Sequence, residues 1–263
     1  MGPFAFCDNR MFLVHLHHRS GVFFKFLYLG TFKTGKLELP TTDTGANRGI
    51  KSRKATLSLI AICCIAYPAG FRYSYLQCSY DNIFLSGNWW SVFTALFLHG
   101  NLMHLLGNML FLLLFGLGLE KKVGPGRLIA VFLLGGAISM FLSSFYYPHN
   151  QPSVGASGAI ATILAALMLF NPWRISFLLN FFPMPIGVAG FTFLLLNIGG
   201  LYRDFAHPSV SNFHVAYMGH LIGFLVGIVF ASVVTPDWKK NLVLSVIQFI
   251  GFYALLLLIF HYL

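Results

Sequence analysis

An all-α membrane bundle is the fold this chain predicts, with six helices forming a core and a seventh added after them. Three observations predict it. Of 263 residues, 57% are hydrophobic and 9% charged, whereas a soluble domain carries about 25% charged residues. Mean hydropathy is +0.75. Beyond residue 55 the chain falls into apolar segments, most of them close to the ~20 residues that a helix needs to cross ~30 Å of hydrocarbon.

Residues 1–54 read as a cytoplasmic tail and linker. Phe23 to Phe32 is apolar but too short to span, and Lys25 interrupts its start. No small-residue cleavage site follows, and Phe6 stands where a myristoylation signal needs Ser or Thr. Pro40 to Lys54 is polar and ends in Lys51, Arg53 and Lys54. Residues 55–236 form the expected core and 237–263 the extra C-terminal helix. The expected spans are Thr56–Phe71, Asn101–Leu119, Leu128–Tyr147, Ala156–Phe170, Met184–Gly200, His214–Val234 and Leu242–Tyr262. Pro183 and Pro185 mark the start or a break of the fifth. The connection from Arg72 to Gly100 holds Trp89, Trp90, Phe93 and Phe97; such aromatics sit at the headgroup level, as Trp238 does.

The net charge of +10 is not a nucleic-acid signal, because the basic residues sit in short segments between apolar runs and face an anionic leaflet instead. The Lys51–Lys54 cluster, Lys121 with Lys122 and Arg127, Arg174, and Lys239 with Lys240 fall after alternate crossings. The expected topology is therefore a multi-pass protein of a prokaryotic cell membrane, N-terminus cytoplasmic and C-terminus outside. The four cysteines, Cys7, Cys63, Cys64 and Cys78, show neither a disulfide framework nor metal-ligand spacing. His15, His17 and His18 look like a metal-ligand cluster but have no fold to support one, and His207 with His214 is read as a solvated loop in preference to a metal site. No cofactor and no metal are expected.

Polar groups in lipid are costly, and such residues are functional candidates with a partner expected. The second, fourth and sixth crossings run in one direction, so His104, Ser157 and His220 share one side. Counting residues at 1.5 Å each puts His104 ~8 Å, Ser157 ~10 Å and His220 ~9 Å below the outer boundary, with Asn108 near ~13 Å. Ser157 opens a segment of only about 15 apolar residues, so Gly155 and Ala156 are expected to descend into a wet pocket. The free N–H groups of that helix start favour an anion. Four residues separate His104 from Asn108, which puts both donors on one helix face. His220 must be neutral to accept the Ser157 proton, and low-dielectric surroundings favour that form. No Asp or Glu lies nearby in these helices, so a two-residue dyad is expected, its base held by packing. Gly219, Gly223 and Gly227 give the sixth helix a smooth stripe, met by Gly158 and Ala161 on the fourth.

Gly155-Ala156-Ser157-Gly158, the run from His99 through His104 to Asn108, and Gly219-His220 through Gly223 to Gly227 together resemble the rhomboid intramembrane serine proteases, over about residues 56 to 234. The resemblance implies a rhomboid-like six-helix core, Ser157 as nucleophile, His220 as base, and His104, Asn108 and Gly155 about the oxyanion. His99, Gly158, Gly219 and Gly223 would support them, and Glu120 would cap the second helix at its cytoplasmic end. It implies single-pass transmembrane proteins as substrates. Two positions depart from the family pattern: Ser91 follows Trp90 where many members have Arg, and Ala161 stands where some carry an aromatic against the base. Two other functions compete with it: a catalytically silent rhomboid-like protein that binds membrane clients, and a small transporter, against which stands the lack of matched halves.

Overall fold

The computed structural model describes residues 54–178, 182–206 and 215–262. The tail with its histidines and Cys7, and the loop residues His207 and His214, lie outside them. Every helix below belongs to one compact unit, Thr42–Leu263.

The described chain is built of α1 (Lys54–Ala66), short α2 (Tyr80–Phe84) and α3 (Ser91–Thr94), α4 (Leu102–Val123), α5 (Pro125–Ser144), α6 (Ser157–Phe170), α7 (Ile186–Ala206), α8 (Tyr217–Val234) and α9 (Trp238–Tyr262). Among the described residues, α4, α5, α7, α8 and α9 are long and apolar enough to cross a membrane. The shorter α1, prolonged by a tight turn through Phe71, and α6 lie where the first and fourth crossings are expected.

Local sequence sets these boundaries. The Asn101 side chain accepts from the His104 N–H at 2.8 Å and starts α4. Gly124, at φ 84°, ends it, and Pro125 starts α5 at the one position where its missing N–H costs nothing. Within α4, Leu112–Gly116 widens into a π turn.

Helix α6 is the axis of the bundle: every residue from Gly158 to Leu169 is buried. Its 14 residues measure about 21 Å, well short of a bilayer's ~30 Å of hydrocarbon. Helix α8 lies against it so closely that a Cβ on Gly223 would strike the Gly158 carbonyl. The Thr162 hydroxyl bridges the two helices, 2.9 Å from the Gly223 carbonyl and 3.0 Å from that of Gly158. On the α5 side, the Ser139 hydroxyl donates to the Gly219 carbonyl at 2.6 Å. Small residues permit this approach, and polar side chains tie it together.

The fifth crossing starts later than expected and is preceded by a hairpin. Strands β1 (Ile175–Leu178) and β2 (Phe182–Pro185) pair antiparallel, Ile175 opposite Pro185. Pro183 and Pro185 therefore stand in a strand, and α7 begins at Ile186. Proline disfavours helix at the residue before it and has no N–H for a helix interior, so two of them two apart keep the chain extended.

The connection between α1 and α4 is fastened over the start of α6. Cys78 and Ser153 exchange backbone hydrogen bonds at 3.1 and 2.6 Å. The Tyr80 ring stacks on His149 at 4.1 Å, and Phe84 packs with Phe141 and Phe145 of α5 and its end. Anchoring therefore does not need an arginine after Trp90. At the other end of α4, Glu120 is fully buried. Its carboxylate accepts from the Ala55 N–H, the Thr56 N–H and the Thr56 hydroxyl at 3.1, 3.0 and 2.6 Å. It thus caps α1, not the second crossing in which it lies. Helix α9 packs on α7 and α6: Asn241 donates to the Leu169 carbonyl at 2.6 Å, and Thr192 meets the Tyr253 hydroxyl at 3.0 Å.

Candidate active site

Ser157 is the first residue of α6. The segment before it is held at depth by backbone pairing of Ser153 with Cys78 and by the Gly155 N–H on the Ala95 carbonyl at 2.9 Å. Gly155 has φ 123°, which disfavours any side chain. A Cβ there would also lie 2.8 Å from the His104 Nε2 and 3.5 Å from the Asn108 Nδ2. A glycine is thus required on both counts, and it lets the backbone pack against His104 and Asn108, which form one wall of a cavity.

Across from that wall stands the base candidate. The Ser157 Oγ lies 2.7 Å from the His220 Nε2. The two residues come from α6 and α8, whose glycine contact sets their separation: Gly158 follows the serine, and Gly223 follows the histidine by one turn. His104, Asn108, Ser157 and His220 together line a cavity of about 670 Å³. The segment 151–154 and Phe193 complete its rim. The four residues that the sequence assigns to one side of the membrane thus meet in one cavity.

Hydrogen-bond accounting separates the members of the wall. Asn108 is 6% exposed, and its Nδ2 has no partner among the described residues. An orphan amide donor on the wall of a cavity is ready for an acceptor that arrives with a ligand. His99 does not face the cavity. It is buried, its ring set edge-on against His104 at 5.2 Å, with Nδ1 3.3 Å from the Phe97 carbonyl. Burial, and secondarily the neighbouring His104, push the His99 imidazole down to about 4. It is neutral near pH 7 and supports His104 from behind. Gly158, Gly219 and Gly223 act through helix approach and not through the cavity.

One residue of the site escapes the sequence reading. Asn197, on α7 and 5% exposed, places its Oδ1 2.7 Å from the His220 Nδ1. Phe193, one turn earlier, lays its ring 5.8 Å from the same imidazole. The His220 ring is therefore held by a polar contact as well as by ring packing. A signal for Asn197 existed in its class: a polar side chain within an apolar span, near the end that parity assigns to Ser157.

Fold and geometry define a polytopic helical membrane protein with a serine and a histidine in contact within its apolar helices. The chain belongs to the rhomboid family: the Rhomboid domain matches residues 86–237, which include every site residue named above and stop at the start of α9. Rhomboid protease GluP of Bacillus subtilis is 32% identical over 155 residues, 58% of this chain and 27% of that protein. RHOMBOID-like protein 1 of Arabidopsis thaliana is 34% identical over 144 residues, 54% of this chain and 34% of that protein. Rhomboid protease AarA of Providencia stuartii is 33% identical over 123 residues, 40% of this chain and 43% of that protein. The matched stretch spans less than half the length of each of these relatives.

Proposed function

We propose that this chain is an intramembrane serine endopeptidase acting through Ser157 and His220 on single-pass transmembrane proteins, within or near their membrane segment. The observation that carries the reading is the 2.7 Å contact between the Ser157 Oγ and the His220 Nε2, at the mouth of α6 and in a cavity large enough for water. In this reading the Ser157 Oγ bonds to the scissile carbonyl carbon while its proton passes to His220 Nε2. The carbonyl π pair moves onto oxygen. The N–H groups at the start of α6 and the Asn108 Nδ2 stabilise that oxyanion, with His104 beside them; such donors are worth about 3 kcal/mol each. The C–N bond then breaks, and His220 returns the proton to the leaving nitrogen. Water, deprotonated by Nε2, cleaves the resulting ester and restores Ser157. The reading includes the topology expected from the basic loops, with the serine end of the bundle outward.

Its test is cleavage of a model transmembrane substrate in proteoliposomes, beside labelling with a fluorophosphonate. Ser157→Ala and His220→Ala are expected to insert normally and cleave nothing, and the probe is expected to mark wild type and not Ser157→Ala. Full cleavage by either variant rejects the assignment. Binding of the substrate with neither labelling nor cleavage by wild type establishes the client-binding alternative instead.

A further inference from the structure

We propose that Asn197 is a positioning residue, which holds His220 in the Nδ1–H tautomer so that Nε2 faces Ser157 with its lone pair free. The inference rests on the proteolytic reading and adds a third residue to it.

A side-chain amide has one end that donates and one that accepts, and coordinates alone do not tell them apart. Here the surroundings do. The Asn197 Nδ2 lies 2.8 Å from the Phe193 carbonyl, one turn back on α7. A carbonyl only accepts, so the NH₂ end must point at it. The Oδ1 end then faces His220, 2.7 Å from Nδ1. An amide oxygen only accepts, so Nδ1 must carry the hydrogen. In a neutral imidazole the other nitrogen is then the acceptor. That nitrogen is Nε2, 2.7 Å from the Ser157 Oγ. The Phe193 carbonyl on α7 thus selects, through three hydrogen bonds in series, which nitrogen of a histidine on α8 is basic toward a serine on α6.

Asn197 needs no such contact for its own sake in the fold. Its donor end is satisfied within α7, and among the described residues its Oδ1 bonds to His220 alone. It does not line the cavity, so its action is through His220. Being neutral, it takes no proton. When Nε2 accepts the Ser157 proton, the Nδ1–H remains bonded to Oδ1, and the amide dipole faces the new imidazolium. A wrong tautomer in a serine–histidine site is known to be costly even where geometry is intact.

Full-length wild type, Asn197→Ala and Asn197→Asp, each in detergent and in proteoliposomes, provide the test. With a model transmembrane substrate, Asn197→Ala is expected to lower kcat about 10- to 100-fold, less than loss of the base itself, with KM within about twofold. Fluorophosphonate labelling of Ser157 should slow in parallel. Asn197→Asp keeps an acceptor toward His220 Nδ1 but has no donor for the Phe193 carbonyl, so it should recover part, not all, of the kcat lost in Asn197→Ala. Ring-¹⁵N-histidine spectra, with the His220 signal assigned by its loss in His220→Gln, should show hydrogen on Nδ1 in wild type and a tautomer mixture in Asn197→Ala. Unchanged kcat in Asn197→Ala, or an Nε2–H signal in wild type, overturns the proposal. If Asn197→Ala fails to fold, the wild-type tautomer and Asn197→Asp decide. Wild type that shows the Nδ1–H signal yet neither labels nor cleaves sinks the proteolytic reading and leaves the hydrogen-bond relay standing.

Discussion

Helix α4 carries two buried polar clusters, one toward each end, and they are built on opposite principles. At its Glu120 end one carboxylate receives three donors from the first residues of α1. Nothing there is left over. Toward its other end, among the described residues, neither the Asn108 Nδ2 nor the Nε2 of His99, which packs on His104, has a partner. Both clusters cost desolvation in an apolar setting. The first recovers it within the resting fold, while the second leaves donor capacity unused beside a cavity and a serine. A buried carboxylate is thus no better a pointer to chemistry here than a buried amide; what separates them is whether the bonds are complete.

The largest expected effect lies at the incomplete end. Asn108→Ala removes a donor that makes no bond at rest, so thermal stability in detergent should change little. Cleavage of a model substrate should fall about 10²- to 10³-fold in kcat, the usual effect of deleting one oxyanion donor. A large loss of stability with unchanged kcat would reverse the comparison. Glu120→Gln should behave in the opposite way. It replaces an acceptor oxygen by an NH₂ that faces backbone donors, and the lost charge-assisted bonds cost about 3 kcal/mol. A lowered Tm is expected, with kcat per folded molecule unchanged. Ordinary stability together with a crippled kcat would move Glu120 from scaffold to machinery.

Much of the site was legible because helix parity and residue counting are strong constraints in a membrane. Direction of crossing put His104, Ser157 and His220 at one end, and a short fourth span put Ser157 at a helix start. The glycine spacing told which helices touch. Three things were not legible. The hairpin before α7 was hidden because Ile175–Pro185 is as apolar as a helix, and only its two prolines argue otherwise. The role of Glu120 was misassigned because a residue in the last turns of one helix can cap the first turn of another, which sequence spacing does not report. Asn197 was missed because its value lies in rotation: the same residue one position away on α7 would face elsewhere, and periodicity in a uniformly apolar span does not fix the facing.

The smallest expected effect separates stability from catalysis at His99. Its folded value of about 4 lies below the ordinary 6.5. Between those values the unfolded chain binds a proton that the folded chain does not, so stability must fall as pH drops from about 6.5 toward 4, and is unaffected above that window. His99→Gln removes this proton uptake. The drop in Tm between pH 7 and pH 5 should therefore be smaller in the variant, by about 2–4 °C if the contribution is about 1 kcal/mol in a chain of this size. An identical pH slope in the two proteins would mean that the fold leaves the His99 pKa at its ordinary value of 6.5. The ring behind His104 would then become a cation as pH falls below that value, and His104 would stand in a different field there.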